Sequence, residues 1–66
     1  MLIKLNGDDF AIEGVVTVAQ LLQAIGLQSQ AVAIEVNRQI VRRAEHQRHE
    51  LKEGDCVEVV NFVGGG

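Results

Sequence analysis

The chain has 66 residues, of which 47% are hydrophobic and 3% aromatic, and its formal net charge is −3. This length suits one domain with a small aliphatic core, so residues 1–66 are predicted to form a single unit. The acidic balance argues against general nucleic-acid binding, which needs a clearly basic surface. No apolar run approaches the roughly 20 residues that span a bilayer, and no signal-peptide pattern is present, so no membrane association and a cytoplasmic location are predicted.

The first part of the chain is predicted to form a β-hairpin. Ile3 and Leu5 alternate with polar neighbours over Met1–Asn6, which is typical of a half-buried strand. Asn6-Gly7-Asp8 is a tight-turn sequence, because Asn and Gly tolerate the positive φ angles that hairpin turns require. Alternation resumes from Phe10 and predicts a second, antiparallel strand.

A short amphipathic helix is predicted from Val18 to Ile25. Thr17 can accept a hydrogen bond from the first free amides of this helix. Gly26 follows the last apolar position, where a left-handed C-cap costs glycine little. The apolar stripe has the helical spacing i, i+3, i+4 and i+7 and consists of Val18, Leu21, Leu22 and Ile25.

Strand patterns return after the helix. Alternation over Val32–Val36 predicts a third strand, and Asn37-Arg38-Gln39 turns the chain toward the short apolar pair Ile40 and Val41. The polar segment 42–50 has no continuous apolar face, so we interpret it as a loop or short helix.

The last third of the chain completes the predicted sheet. Leu51 is predicted to fill the core, Lys52–Asp55 to turn, and Cys56–Val63 to form a final strand rich in β-branched residues. A hairpin, one helix and further strands predict an α+β protein with the β-grasp (ubiquitin-like) fold. Its mixed sheet has four to five strands, with one main helix packed on one face. A ferredoxin-like fold would need a second good helix, which segment 42–50 does not offer.

The final strand has two apolar faces. Val57 and Val59 share one face, whereas Val60 and Phe62 share the other. Only one face can meet the helix, so Val60 and Phe62 are predicted to be exposed and, with Val63, to dock a partner. Ordinary scatter of surface hydrophobic residues is the alternative, because single exposed apolar residues are common.

The sequence ends in Gly64, Gly65 and Gly66. These residues span about 10 Å when extended and have no side chains to clash, so 64–66 is predicted to be a flexible tail that threads a partner's active site. A merely frayed terminus is the alternative. A carboxylate becomes reactive once ATP converts it to an acyl-adenylate, which sulfur turns into a thiocarboxylate and an amine into an amide. Gly66 is therefore the predicted site of modification, on a carrier that needs no catalytic residue of its own.

Other reactive side chains carry weaker signals. His46 and His49 with the distant Cys56 lack the spacing of a metal site, so no metal is predicted, and His46 is interpreted as a surface or half-buried residue. Cys56 lies in a predicted strand without a second cysteine or base and is interpreted as structural. No nucleophile–base pair or phosphate loop is present, so the chain is not predicted to be an enzyme. The basic residues of this part of the chain are Arg38, Arg42, Arg43 and Arg48. They are interpreted either as a patch that meets an acidic partner or as part of a solvated loop.

Three stretches together resemble the ThiS family, the ubiquitin-like sulfur carrier proteins of thiamine biosynthesis. They are Asn37–Arg43, Leu51–Val60 and Val63–Gly66, and the resemblance extends over essentially the whole chain. Its specific parts are an Asn-x-x-Ile-Val-x-Arg turn, a Leu-x-x-Gly-Asp turn and the Gly-Gly ending. His46 departs from the pattern, because many relatives carry tryptophan after the Arg43 region.

The resemblance implies a route for sulfur. An E1-like adenylyltransferase (ThiF-like) would adenylate Gly66 with ATP, and a sulfur-donating persulfide protein would supply the sulfur of the thiocarboxylate. A thiazole synthase (ThiG-like) would then take up that sulfur. By position, Gly65 and Gly66 match the family's reactive tail, and Val60 and Phe62 lie where the family contacts partners. The chain itself would bind no cofactor.

The same sequence features are compatible with other functions. The small subunit of molybdopterin synthase shares the fold and the tail, although such relatives are usually longer, and carriers for cysteine synthesis or tRNA thiolation are further alternatives. A β-grasp interaction module without a covalent role is the alternative from a different class. Such a module would keep its activity after loss of Gly66.

Overall fold

The computed structural model describes residues 1–14, 17–28 and 31–62. Within these ranges the strands are β1 (Leu2–Leu5), β2 (Asp8–Ala11), β3 (Val32–Val36), β4 (Gln39–Ile40) and β5 (Cys56–Asn61), with one α-helix, α1 (Val18–Ala24), and a short 3₁₀ helix (Arg43–Glu45). The strands form one sheet in the order β2-β1-β5-β3-β4. The sheet is mixed, because β1 and β5 are parallel and the other neighbours are antiparallel.

The first two strands form the predicted hairpin. Leu2 pairs with Ala11 and Leu5 with Asp8. At the turn, Asn6 has φ 51° and Gly7 has φ 88°. Two consecutive positive φ angles are the geometry of a type I′ turn, whose twist matches that of the flanking strands.

Helix α1 begins with a capping box. The Thr17 hydroxyl accepts from the Gln20 N–H at 3.2 Å, and the Gln20 side chain accepts from the Thr17 N–H at 3.1 Å. Gly26 follows the C-cap Ile25 with φ 79°, as predicted. In the part of the chain that the structure describes, no helix is long and apolar enough to cross a membrane.

The polar segment 42–50 covers the beginning of α1. The Val18 N–H donates to the His49 carbonyl at 3.0 Å, and the Ala19 N–H donates to the His46 carbonyl at 2.9 Å. These bonds satisfy helix amides that have no partner inside the helix. The segment is therefore the predicted loop with a short helix, and its main chain also supports α1.

One aliphatic core lies between α1 and the inner face of the sheet. Leu51 is 5% exposed and fills this core as predicted. Phe10 is only half-buried and packs against the core from the side. The buried hydrophobic residues are Ile3, Ile12, Val18, Leu21, Leu22, Ile34, Val36, Val41, Leu51 and Val57.

The two turns singled out in the sequence bind each other. The side-chain Nδ2 of Asn37 donates to Asp55 Oδ1 at 3.0 Å, and the Cys56 N–H donates to Asn37 Oδ1 at 3.0 Å. Asp55 Oδ2 also accepts from the Lys52 N–H at 2.8 Å. Asn37 can occupy this place because it tolerates φ 53°. The β3–β4 turn therefore fixes the point at which β5 begins.

Candidate functional site

Strand β5 carries the predicted docking residues. Val57 is 1% exposed and lies in the core, whereas Val60 and Phe62 expose 54% and 59% of their surface. Because side chains alternate along a strand, β5 turns one face to α1 and the other to solvent. The exposure of Val60 and Phe62 agrees with the sequence pattern, while their docking role stays a prediction.

The remaining site residues fall outside the described part of the chain. They are Val63, Gly64, Gly65 and Gly66. The residue before them, Phe62, is held by its main chain, whose N–H donates to the Ala31 carbonyl at 2.9 Å. The sheet therefore fixes Phe62, the last residue that the structure describes before the predicted tail.

Asn6 holds β5 from the other side. Its N–H donates to the Val57 carbonyl at 2.8 Å. Asn6 Oδ1 accepts from the Val59 N–H at 2.8 Å, and Asn6 Nδ2 donates to the Val59 carbonyl at 3.3 Å. A turn side chain thus continues the hydrogen bonding of β1 after that strand has ended. Sequence reasoning missed this role, because nothing local in the sequence links Asn6 to a strand at the other end of the chain.

The outer face of the sheet is apolar and acidic around Val60. Val60 is the partner of Ala33, and Glu58 is the partner of Glu35, in the β3–β5 pairing. Ile40 pairs with Glu35 and is 74% exposed. Within the described ranges neither glutamate takes part in a salt bridge. This face therefore suits a partner that offers apolar and basic groups.

His46 is buried, so its interpretation as a surface or half-buried residue is wrong. The residue is 8% exposed, and its ring Nε2 lies 3.1 Å from the Val41 carbonyl oxygen. A carbonyl can only accept, so Nε2 carries the proton in this contact. His46 lies in a polar segment, so no local apolar pattern indicates its burial. In the residues described, neither His46 nor His49 belongs to a group of three or more side chains that could hold a metal ion.

The arginines of the predicted basic patch line two depressions and one turn. Arg42 and Arg48 line a depression beside Ile40, and Arg48 Nη2 lies 2.9 Å from Glu45 Oε2. Arg43 lines a different depression, together with His46 and Phe62. Arg38 lies in the β3–β4 turn with φ 69°. A common role for all four arginines therefore stays a prediction.

Cys56 is an exposed free thiol at the start of β5. Its Cα partner on β1 is Lys4, whose ammonium lies 2.7 Å from Asp9 Oδ1. The hydrogen bond and charge of Asp9 raise the pKa of Lys4. Along a strand with about 3.3 Å per residue, Cys56 lies roughly 20 Å from Phe62. This separation argues against a role for Cys56 at the tail.

The model of the ThiS family matches residues 3–66. The chain belongs to the ThiS family. The resemblance seen in Asn37–Arg43, Leu51–Val60 and Val63–Gly66 is therefore confirmed. The hydrogen bond between Asn37 and Asp55 joins two of these stretches.

Curated relatives that match this ThiS family chain include thiazole synthases and sulfur carrier proteins. The thiazole synthases of Magnetococcus marinus and Paramagnetospirillum magneticum are 39% and 35% identical to it over 66 residues. These matches cover 100% of this chain but only 20% of each synthase. The sulfur carrier protein ThiS of Bacillus subtilis is 33% identical, and the match covers 98% of this chain and 100% of that protein.

A solved structure of the ThiS family has the same architecture. The crystal structure of the thiamine biosynthesis protein ThiS from Geobacter metallireducens matches with a TM-score of 0.83 and 32% identity, covering 100% of both chains. The predicted β-grasp fold is therefore confirmed, with a five-stranded mixed sheet and one α-helix among the described residues.

Proposed function

We propose that this chain is a sulfur carrier protein for thiamine biosynthesis and that its Gly66 carboxylate becomes a thiocarboxylate. The observation that carries the proposal is membership of the ThiS family over residues 3–66. The match to the full length of a relative named sulfur carrier protein ThiS supports it. The geometry supports it as well, since β5 brings exposed apolar residues to the base of the tail.

The first proposed step is activation by an E1-like adenylyltransferase (ThiF-like). A carboxylate repels nucleophiles and has no good leaving group. An oxygen of the Gly66 carboxylate attacks the α-phosphorus of ATP, and pyrophosphate leaves. The resulting acyl-adenylate is a mixed anhydride with AMP as a good leaving group. ATP is therefore a substrate of the partner, and this chain binds no cofactor.

The second proposed step loads the sulfur. The terminal sulfur of a sulfur-donating persulfide protein attacks the acyl carbon of the adenylate, and AMP leaves. A thiol then attacks the donor protein's sulfur in the acyl disulfide, forms a new disulfide with that sulfur, and releases the thiocarboxylate as the acyl S–S bond breaks. Sulfur has replaced one oxygen of Gly66. The side chains of the carrier take no part in these steps, so the chain acts as a co-substrate and not as an enzyme.

The proposed acceptor of the sulfur is a thiazole synthase (ThiG-like). Two relatives with that name each contain a segment that matches this whole chain. A carrier and a synthase joined in one protein are expected when the two act on each other. On this proposal Gly64 and Gly65 carry Gly66 into the synthase, and Val60, Phe62 and Val63 contact its surface.

The alternative sulfur pathways share this chemistry. Carriers for molybdopterin, cysteine or tRNA thiolation would be activated in the same way, and family membership favours thiamine. A non-covalent interaction module differs in one testable respect, since it does not require Gly66. The sulfur proposal requires a free carboxylate on that residue.

Intact-mass spectrometry tests the loading step. We expect incubation with ATP, the adenylyltransferase and the sulfur donor from the same genome to raise the mass of the chain by the difference between sulfur and oxygen. Deletion of Gly66 should abolish this gain. Leu2→Ala is a matched control, because Leu2 is exposed but lies at the opposite end of the sheet. Equal modification of the shortened chain would overturn the proposal.

A further inference from the structure

Strand β5 continues past the end of its neighbour β1. Pairing between these strands stops at Leu5 and Val57, because the chain turns away at Asn6 into β2. On its other side β5 remains paired with β3 as far as Asn61, the partner of Val32. The last part of β5 therefore has a strand beside it on one side only.

Alternate residues of β5 direct their main-chain groups to opposite sides. The Cys56 carbonyl accepts from the Asn37 N–H at 2.7 Å, and the Phe62 N–H donates to the Ala31 carbonyl at 2.9 Å. Even-numbered residues of β5 therefore bond to the β3 side. The odd-numbered residues must direct their main chain to the β1 side.

Asn6 satisfies only part of that side. Its main chain and side chain bond to the carbonyl of Val57 and to the N–H and carbonyl of Val59. The next odd-numbered residue, Asn61, lies beyond its reach. In the structure as described, the N–H and carbonyl of Asn61 have no partner on the β1 side, and the occluded Asn61 Oδ1 has no hydrogen-bond partner either.

Another extended main chain can pair with an unpaired N–H and an unpaired carbonyl of the same residue, because it offers both an acceptor and a donor. A small anion would use the donor and leave the acceptor unpaired. The side chains on either side of Asn61, Val60 and Phe62, are apolar and exposed, so they offer contact area to the same segment. Along the sequence, Asn61 precedes the first glycine of the tail, Gly64, by three positions.

We propose that an extended segment of the thiazole synthase adds to the sheet beside Asn61, in the position that β1 leaves vacant. Main-chain hydrogen bonds to Asn61 then align the base of the tail with the entrance of the synthase. The inference rests on the proposed function for the identity of the partner. It adds the mode of recognition, which is strand addition at one defined residue.

Amide hydrogen exchange tests this edge in the unmodified protein. We expect the Asn61 N–H to exchange rapidly in the free chain and at least about tenfold more slowly in the complex with the synthase. Unchanged exchange in a saturated complex would overturn the inference. Slow exchange in the free chain that depends on its concentration would also overturn it, because a second copy would then occupy the edge.

A matched pair of backbone substitutions tests the hydrogen bond itself. Chemical synthesis can replace the N–H of Asn61 by an ester oxygen in the full chain. The control is the same change at Ala11 on the outer edge of β2, whose N–H points away from β1 because Ile12 bonds to Met1. Each ester also makes the preceding carbonyl a weaker hydrogen-bond acceptor within the sheet. This carbonyl belongs to Val60 in the Asn61 variant and to Phe10 in the Ala11 variant, so both folds are perturbed in the same way.

The ester at Asn61 should weaken binding to the synthase by about threefold to tenfold relative to the ester at Ala11. Equal affinities would overturn strand addition. Loading with sulfur is measured on the same samples by mass. If loading succeeds and the affinities are equal, only this inference fails. If no sample is loaded, the proposed function fails independently of the binding result.

Discussion

Asn6 accepts a hydrogen bond from the Val59 N–H at 2.8 Å and donates one to the Val59 carbonyl at 3.3 Å, across 53 positions of the sequence. The hairpin turn thereby holds the strand that leads to the tail. Asn6 can do this because it tolerates φ 51°, which points its side chain toward β5.

Replacing Asn6 should loosen β5. Asn6→Gly keeps the positive φ accessible and removes both side-chain hydrogen bonds, so we expect the free energy of unfolding to fall by about 1–3 kcal/mol. Chemical denaturation measures this loss. Asn6→Asp is the matched variant, since it keeps the acceptor for the Val59 N–H and should lose less. Equal stability of Asn6→Gly and the wild type would show that these bonds do not stabilise the fold.

The side chain of His46 should stabilise the fold. His46→Ala removes a buried ring and leaves the Val41 carbonyl without its donor, so we expect a loss of about 1–3 kcal/mol in the free energy of unfolding. His49→Ala is the control, because the His49 contact with α1 is made by its main-chain carbonyl and survives the substitution. Thermal and chemical denaturation of both variants would reveal the difference. Similar stabilities would contradict the role of the His46 ring.

The side chain of Asn61 should lower the free energy of unfolding. Its occluded Oδ1 lacks a hydrogen-bond partner, and leucine has a similar size without a polar atom to desolvate. Asn61→Leu is therefore expected to raise the free energy of unfolding by about 1 kcal/mol. Urea titration provides the measurement. A destabilised variant would mean that Asn61 makes a contact that the described residues do not contain.

Phe62 should contribute to binding and little to folding. Phe62→Ala removes an exposed ring but keeps the main-chain bond to Ala31, so stability should change by less than about 0.5 kcal/mol. Affinity for the synthase should fall about tenfold. Leu2→Ala, a substitution of an exposed apolar residue at the opposite end of the sheet from Phe62, should leave this affinity unchanged. An equal effect of the two substitutions would contradict docking at the end of β5.

Local signals in the sequence predicted most of the fold. Alternation of apolar and polar residues predicted the strands. Thr17 and Gly26 predicted the ends of α1, because helix caps depend on neighbouring residues. The Asn6-Gly7 pair predicted the hairpin for the same reason. Alternation in β5 also predicted the exposure of Val60.

Contacts between distant residues could not be predicted in this way. The bonds of Asn6 to β5 and of Asn37 to Asp55 depend on which strands become neighbours, and the single sequence does not encode this in any local pattern. His46 lies in a polar segment, and its burial follows from how that segment packs on α1. The glycine tail has no side-chain pattern, so its proposed role rests on family resemblance and on carboxylate chemistry.

Transfer of sulfur from this chain tests the central claim most directly. The chain would be loaded with heavy-isotope sulfur, purified, and mixed in a single turnover with the thiazole synthase and its other substrates. We predict that the isotope appears in the thiazole product while the chain returns to the mass of its carboxylate form. A product without the isotope, or a chain that keeps its sulfur, would contradict the assignment of Gly66 as the sulfur-carrying residue.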